Sequence, residues 1–257
     1  MMRILKVISR LLDYPVEELK SCRAELAMVI SEAREISPQM RLVLLTVLAQ
    51  LARDDLLDVQ EDYGLLFDQG RSVSLHLFEH VHGESRDRGQ AMVDLIEVYG
   101  QNGFELDALE LPDYLPLFVE YLSSRPDLEV REWLTDVAPI MARIAARLED
   151  RGDAGKAYAV LLEALLMIAG QQQLLVDLRG SLSREAPDHT PEALDQEWEE
   201  TAVTFGTPDK TCGLDQKPIA DKTGPDQAAP LHWVDATAGV DPLNHSPAPA
   251  RAGGNLS

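Results

Sequence analysis

The sequence predicts an all-α protein: a single helical-bundle domain over residues 1–177, then a largely disordered acidic tail over 178–257. Three observations lead there. Apolar residues recur every three or four positions through the first two-thirds of the chain, as a buried helix face requires. No stretch shows convincing two-residue alternation, so a sheet is not expected. Composition then changes near residue 178. The chain has 257 residues, 45% hydrophobic but only 5% aromatic, so its core should be mainly aliphatic.

Taken in order, Ile4, Leu5, Val7, Ile8, Leu11 and Leu12 make one face of a first helix that stops at Asp13-Tyr14-Pro15. Leu19, Cys22, Leu26 and Ile30 define a second helix and make Cys22 a buried thiol. Ser37-Pro38 is a cap followed by proline at the first helical position. The helix it opens, through about Arg53, is apolar nearly all round, which suits the centre of a bundle or a place under a partner. Further helices are expected over about 54–67, 73–82, 86–100, 113–124, 128–150 and 154–177. Pro139 falls inside one of them and predicts a kink.

Beyond residue 178 lie 9 of the 15 prolines and 7 of the 16 glycines, with 13 acidic against 6 basic residues. Such a segment buries too little apolar surface to offset the entropy of ordering. One island stands out: Thr190-Pro191-Glu192 starts a short helix near 190–200, with Leu194 and Trp198 on one face. It is either a transient helix or a segment that docks on the domain.

The formal net charge of −21 repels nucleic-acid phosphates and anionic lipid heads. Two cysteines, Cys22 and Cys212, are too few for a disulfide framework, and a reducing compartment is expected. The longest apolar stretches, Leu42–Leu51 and Val160–Ala169, fall short of the roughly 18–20 residues of a spanning helix. Lys6 and Arg10 interrupt the apolar N-terminus, which therefore reads as a helix and not a targeting peptide. The expected location is the cytoplasm.

The densest polar cluster runs from Ser74 to Gly89. Inside it, His76-Leu77-Phe78-Glu79-His80 matches the H-x-x-E-H pattern of inverted zinc metallopeptidases. On a helix His76 and His80 would share a face, with Glu79 as base toward a zinc-bound water. Three specified positions in five are a weak signal, and no third ligand nominates itself. Packing and hydrogen bonding outweigh metal binding. The arginines say more. Gly83 ends one helix and Ser85 caps the next, which puts Arg86 and Arg88 in its first turn. There the helix dipole opposes a cation by about 0.3–1 kcal/mol, so an anion should compensate. Either Glu79, Glu84, Asp87 or Asp68 supplies it internally, or an acidic group on a partner does. Glu110-Leu111-Pro112-Asp113-Tyr114-Leu115-Pro116 reads first as a helix start. No nucleophile elbow, P-loop or dinucleotide fingerprint occurs, so no resident cofactor is expected.

The run from Leu77 to Leu95, nineteen residues containing Glu79, His80, His82, Glu84, Arg86, Asp87 and Arg88, resembles the signature of the nitrate reductase molybdenum cofactor assembly chaperones, the NarJ family. Flanking stretches agree: Ser9 to Pro15, Tyr63 with Leu66 to Arg71, Glu110 to Asp113 with Leu115 to Leu117, Ala138 to Ile140, and Thr190 to Asp195 with Trp198 to Glu200. The resemblance covers about residues 3–200. It implies a helical, monomeric-to-dimeric chaperone that binds the N-terminal segment of the apo catalytic (alpha) subunit of membrane-bound respiratory nitrate reductase. It also implies support for molybdenum cofactor insertion and final assembly, without a place in the mature enzyme and without catalysis. Glu79, His80, His82, Glu84, Arg86, Asp87, Arg88, Pro112 and Asp113 become client-binding or structural candidates. The wider group often has histidine after the Pro-Asp pair, where this chain has Tyr114. Two other classes compete. A zinc hydrolase on His76, Glu79 and His80 predicts stoichiometric metal, and a nucleic-acid-binding domain predicts a basic face that the charge argues against.

Overall fold

The computed structural model describes residues 2–182, apart from 54, 69–70, 83–86 and 107–109. Those residues are all-α, with one isolated antiparallel bridge between His76 and Tyr114. The short helix expected near 190–200 lies outside them.

Helix α1 (Arg3–Leu12) buries Ile4, Leu5, Val7, Ile8, Leu11 and Leu12, the stripe its spacing predicts. Asp13 ends it, its N–H donating to the Ser9 carbonyl. The expected helix around Leu19 to Ile30 is instead two, α2 (Glu18–Ser21) and α3 (Arg23–Glu32). The backbone leaves helical geometry at Cys22, with φ −89° and ψ 2°, and this turns the thiol to solvent. Cys22 is exposed, not buried, because the break takes it out of phase with Leu19 and Ile30.

Ser37 caps α4 (Pro38–Arg53), its Oγ accepting the Met40 N–H at 3.1 Å. Leu44, Val47, Leu48 and Leu51 are buried, while Leu42 and Val43 remain exposed. The helix is therefore peripheral on one side. Asp55 caps α5 (Leu56–Phe67) through Leu57 N–H at 2.9 Å.

The helix expected over 73–82 shrinks to one turn, α6 (Glu79–His82). Ahead of it Val73, Leu75 and Leu77 are buried in a stretch of turns and bends around the His76 bridge, and the Leu75 carbonyl accepts from Leu115 N–H at 2.8 Å. Apolar residues at alternate positions were a short strand-like signal inside an apparent helix. Helix α7 (Asp87–Gln101) follows, then α8 (Leu115–Ser123) with Pro116 in its first turn.

Helix α9 (Asp127–Glu149) runs as one element through Pro139, and a two-residue connection returns the chain along α10 (Gly152–Ala169). Gly155 is required there. A Cβ on it would lie 2.2 Å from the Leu148 carbonyl oxygen of α9, closer than any real contact. The helix expected over 154–177 is again two. Gly170 stands at φ 73°, and Gln171 N–H bonds back to the Leu166 carbonyl at 2.8 Å, a left-handed glycine stop. Helix α11 (Gln172–Leu182) then packs on α9 and α10 and extends five residues past the expected domain end. Helix α10 touches α1, α4, α5, α9 and α11, so the core centres on it. Leu161, Leu162, Leu165, Leu166 and Ile168 are fully buried.

Candidate functional site

The polar cluster singled out in the sequence assembles around one carboxylate. Asp113 is fully buried, in the turn just before α8, and it does not cap that helix. Its Oδ2 accepts the Phe78 N–H at 3.1 Å, and its Oδ1 lies 3.4 Å from His76 Nδ1. Its backbone carbonyl accepts the Leu77 N–H at 3.0 Å. Arg88, in the first turn of α7, places Nη2 3.2 Å from Glu79 Oε1 and 3.8 Å from Asp113 Oδ2. The anion that offsets Arg88 against the helix dipole is thus Glu79, joined by Asp113. The bridge, α6 and the start of α7 are tied to the start of α8 at this point.

Burial alone would raise the Asp113 pKa. The His76 and Phe78 hydrogen bonds and the charges of His76 and Arg88 outweigh it and hold the carboxyl below its ordinary range. The Asp113 hydrogen bond moves His76 the opposite way, up from its ordinary value. His80 is shifted down, first by burial and then by the Arg147 and Arg143 charges, against its bond to the backbone. Its Nε2 lies 2.8 Å from the Ser74 carbonyl, which can only accept, so that nitrogen carries the proton.

Pro112 accepts the Tyr99 hydroxyl at its carbonyl, 2.8 Å away. Next to Asp113, the Tyr114 hydroxyl lies 2.8 Å from that of Tyr63 and 3.2 Å from Asp13 Oδ1, and its single proton is shared between these two acceptors. Tyr63 also donates to the Leu12 carbonyl at 3.1 Å, and its ring packs against Tyr14, Phe67 and Tyr158. Burial pushes the Tyr63, Tyr114 and Tyr158 hydroxyls far above their ordinary values, so all three stay neutral. The stretches around Asp13, Tyr63, Phe78 and Asp113 therefore converge in space although they are scattered along the chain.

Of the remaining candidates, His82 sets its ring edge against Phe78 at 5.8 Å, and Asp87 is exposed at the start of α7. Glu84 and Arg86 lie outside the described residues. Sequence reasoning missed Arg147 in the last turn of α9 and Arg151 in the connection that follows it. Arg147 donates to the Ser72 carbonyl, and Arg151 to the Leu66 carbonyl and Ser72 Oγ, each at 3.0 Å. These bonds fix the approach to the bridge, and nothing in local periodicity announces a pairing 75 or more residues apart.

Chemically the arrangement is a joint. Asp113 has no face open to a substrate, and its neighbours are donors already engaged with it. His76 precedes α6 instead of lying on it, so His76 and His80 do not share a helix face. Among the described residues no group of three or more His, Cys, Asp or Glu side chains is placed to hold a metal ion. No described helix is long and apolar enough to cross a membrane.

Residues 31–154 match the family model described as nitrate reductase delta subunit. The chain is 46% identical over 209 residues to the nitrate reductase molybdenum cofactor assembly chaperone NarJ of Escherichia coli (strain K12), covering 81% of this chain and 87% of that one. It is 43% identical over 218 residues to the probable chaperone NarW of the same strain, covering 85% and 90%. A probable NarJ of Bacillus subtilis (strain 168) is 33% identical over 160 residues, 62% of this chain and 84% of the relative.

Proposed function

The chain belongs to the nitrate reductase delta subunit family of molybdenum cofactor assembly chaperones, and on that premise we propose how it acts in assembly. It binds the apo catalytic subunit of membrane-bound respiratory nitrate reductase through that subunit's N-terminal segment. It holds the subunit open to molybdenum cofactor insertion and leaves once the enzyme is complete. The observation that carries the reading is the 46% identity sustained over 81% of the chain to a relative bearing that name. The protein works in the cytoplasm, as a monomer or a dimer, and catalyses no reaction.

Physical features support this reading. The signature residues Glu79, Arg88, Pro112 and Asp113 bond among themselves or to backbone and hold helices in place, as a binding scaffold needs. A surface of net charge −21 suits a client segment carrying Lys or Arg. An amphipathic client helix laid on rigid helices could bury three or four apolar side chains, about 5–10 kcal/mol gross. Ordering and association take back much of that, leaving binding that can be released.

The test is co-purification of the tagged full-length chain from cells making the reductase without cofactor, with the bound protein identified by mass. Enrichment of the catalytic subunit, lost when its N-terminal segment is deleted, is the expected result. Equal recovery of the intact and shortened subunits would remove the N-terminal segment from the proposal. Zinc in stoichiometric amount, lost on His76→Ala or His80→Ala, would instead revive the hydrolase.

A further inference from the structure

Helix α7 presents a face that the rest of the described chain leaves uncovered. Leu95 and Tyr99 point into the core, and Arg88 is turned onto Glu79 and Asp113. About a quarter turn around the helix, Gly89, Val93, Ile96 and Gly100 fall on one stripe at spacings of four, three and four. Val93 is 56% exposed and Ile96 46%. A Cβ on Gly89 or on Gly100 would meet nothing within 4 Å. Neither glycine is the left-handed stop of the helix, since that position belongs to Gly103 at φ 71°. Two glycines thus weaken helix propensity without any packing need among the described residues. They leave bare backbone on either side of two exposed apolar side chains. Val81, 59% exposed, adds to the apolar surface on α6, which packs on α7.

Charge selects the occupant. Arg88 is the one cation of α7, and it faces inward. The helix's outer carboxylates Asp94 and Glu97 bond to Gln90 and Gln101, not to cations. Glu97 stands one turn beyond Val93 and borders the stripe. A second copy of this chain would set these carboxylates against their own kind on a protein already at −21. A cationic helix would not.

We propose that the Gly89–Val93–Ile96–Gly100 face of α7 is a docking surface for a cationic amphipathic helix. The glycines admit close approach of its backbone or of its large side chains, Val93 and Ile96 meet its apolar face, and Glu97 at the border meets its Lys or Arg residues. The inference rests on the chaperone reading above and deepens it, since the occupant is then the client's N-terminal segment.

The experiment titrates a synthetic peptide of that N-terminal segment into the full-length chain and into four variants, by calorimetry, with a thermal melt of each. Val93→Lys places a like charge on the stripe, Gly89→Leu fills its bare backbone, and Glu97→Lys reverses its border. Leu42→Lys alters an equally exposed apolar residue on α4 as the control. All four positions are exposed, so melting temperatures should hold. Val93→Lys and Gly89→Leu are expected to weaken binding about tenfold or more, and Glu97→Lys to weaken it less and to reduce its salt dependence. Leu42→Lys should bind like the parent. Full affinity in Val93→Lys and Gly89→Leu, with or without loss in Leu42→Lys, would overturn the α7 assignment and leave the chaperone reading standing. A parent chain that takes up no peptide would overturn both.

Discussion

Along the α9–α10 hairpin the buried side chains are aliphatic or alanine apart from Tyr158, and contact is set by shape: Leu134, Ala138, Met141 and Ala145 on α9 with Leu161, Leu162 and Leu165 on α10. Around Asp113 the same core contains a full carboxylate, two histidines, an arginine and the hydrogen-bonded pair Tyr63 and Tyr114, and contact is set by hydrogen bonds. The first region tolerates any apolar set of similar volume. The second tolerates little, because removing one member strands another in a place without water. Apolar packing supplies most of the stability, while the polar joint dictates which segments meet. Substitutions in the two regions should therefore fail in different ways.

The largest effect is expected at the centre of the joint. Asp113→Ala leaves Arg88 facing Glu79 alone, deprives His76 of its partner and frees the Phe78 N–H, at about 3–5 kcal/mol. Denaturant melts should show that loss, while Asp113→Asn, which keeps the shape and can still accept from Phe78, should lose less. Equal losses in the two would mean that the charge contributes nothing. In the hairpin, Gly155→Ala forces a methyl group into the Leu148 carbonyl, and α9 and α10 must part. About 2–3 kcal/mol is expected from such overpacking, or about 4–10 °C in melting temperature. An unchanged melt would show that the hairpin can shift and is not the rigid half of the comparison.

The next effect is smaller. Arg88→Ala removes a cation about one-fifth exposed and leaves Glu79 able to reach water, so about 1–3 kcal/mol is expected. If Arg88 only joins helices, peptide affinity measured well below the melting temperature should stay within twofold. A tenfold loss of affinity with an unchanged melt would make the joint itself part of the binding surface.

How far these regions could be read from sequence follows the same division. The stripes of α1 and of α9 stand in the primary structure because a helix repeats its buried face every 3.6 residues. The stop at Gly170 was passed over, because Val160 to Leu178 looks continuous by hydrophobicity alone, and a single helix was expected there. The break at Cys22 was not, since neither glycine nor proline marks it. The non-helical run Val73 to Leu77 was hidden because its apolar spacing also begins a helix-like pattern. Within the joint, Glu79 lies nine residues from Arg88 and could be nominated by proximity. Asp113 could not, being 25 residues from Arg88 and 37 from His76, with a Pro-Asp pair that reads locally as a helix start. Long-range polar pairing leaves no period to detect.

The smallest expected effect separates two histidines that lie four residues apart. His76 has its pKa raised by Asp113, so the folded state favours its protonated form. Its contribution is complete below the ordinary histidine pKa, about 6.5, and is lost as pH rises through the folded value. His80 has its pKa lowered by burial, so the folded state favours its neutral form. Its contribution is complete above about 6.5 and is lost as pH falls through the folded value. In the parent chain the two slopes oppose each other, and stability between pH 5.5 and 8 should vary little on their account. Single substitutions should expose them with opposite signs. The deficit of His76→Gln relative to the parent should be larger at pH 5.5 than at pH 8, because the lost bond matters most where His76 is charged. That of His80→Gln should be larger at pH 8, because the parent is itself penalised in acid. Urea melts of the three proteins at both pH values give the comparison. Deficits that change in the same direction with pH would mean that Asp113 does not govern His76 and that the joint is held by Arg88 and the backbone alone.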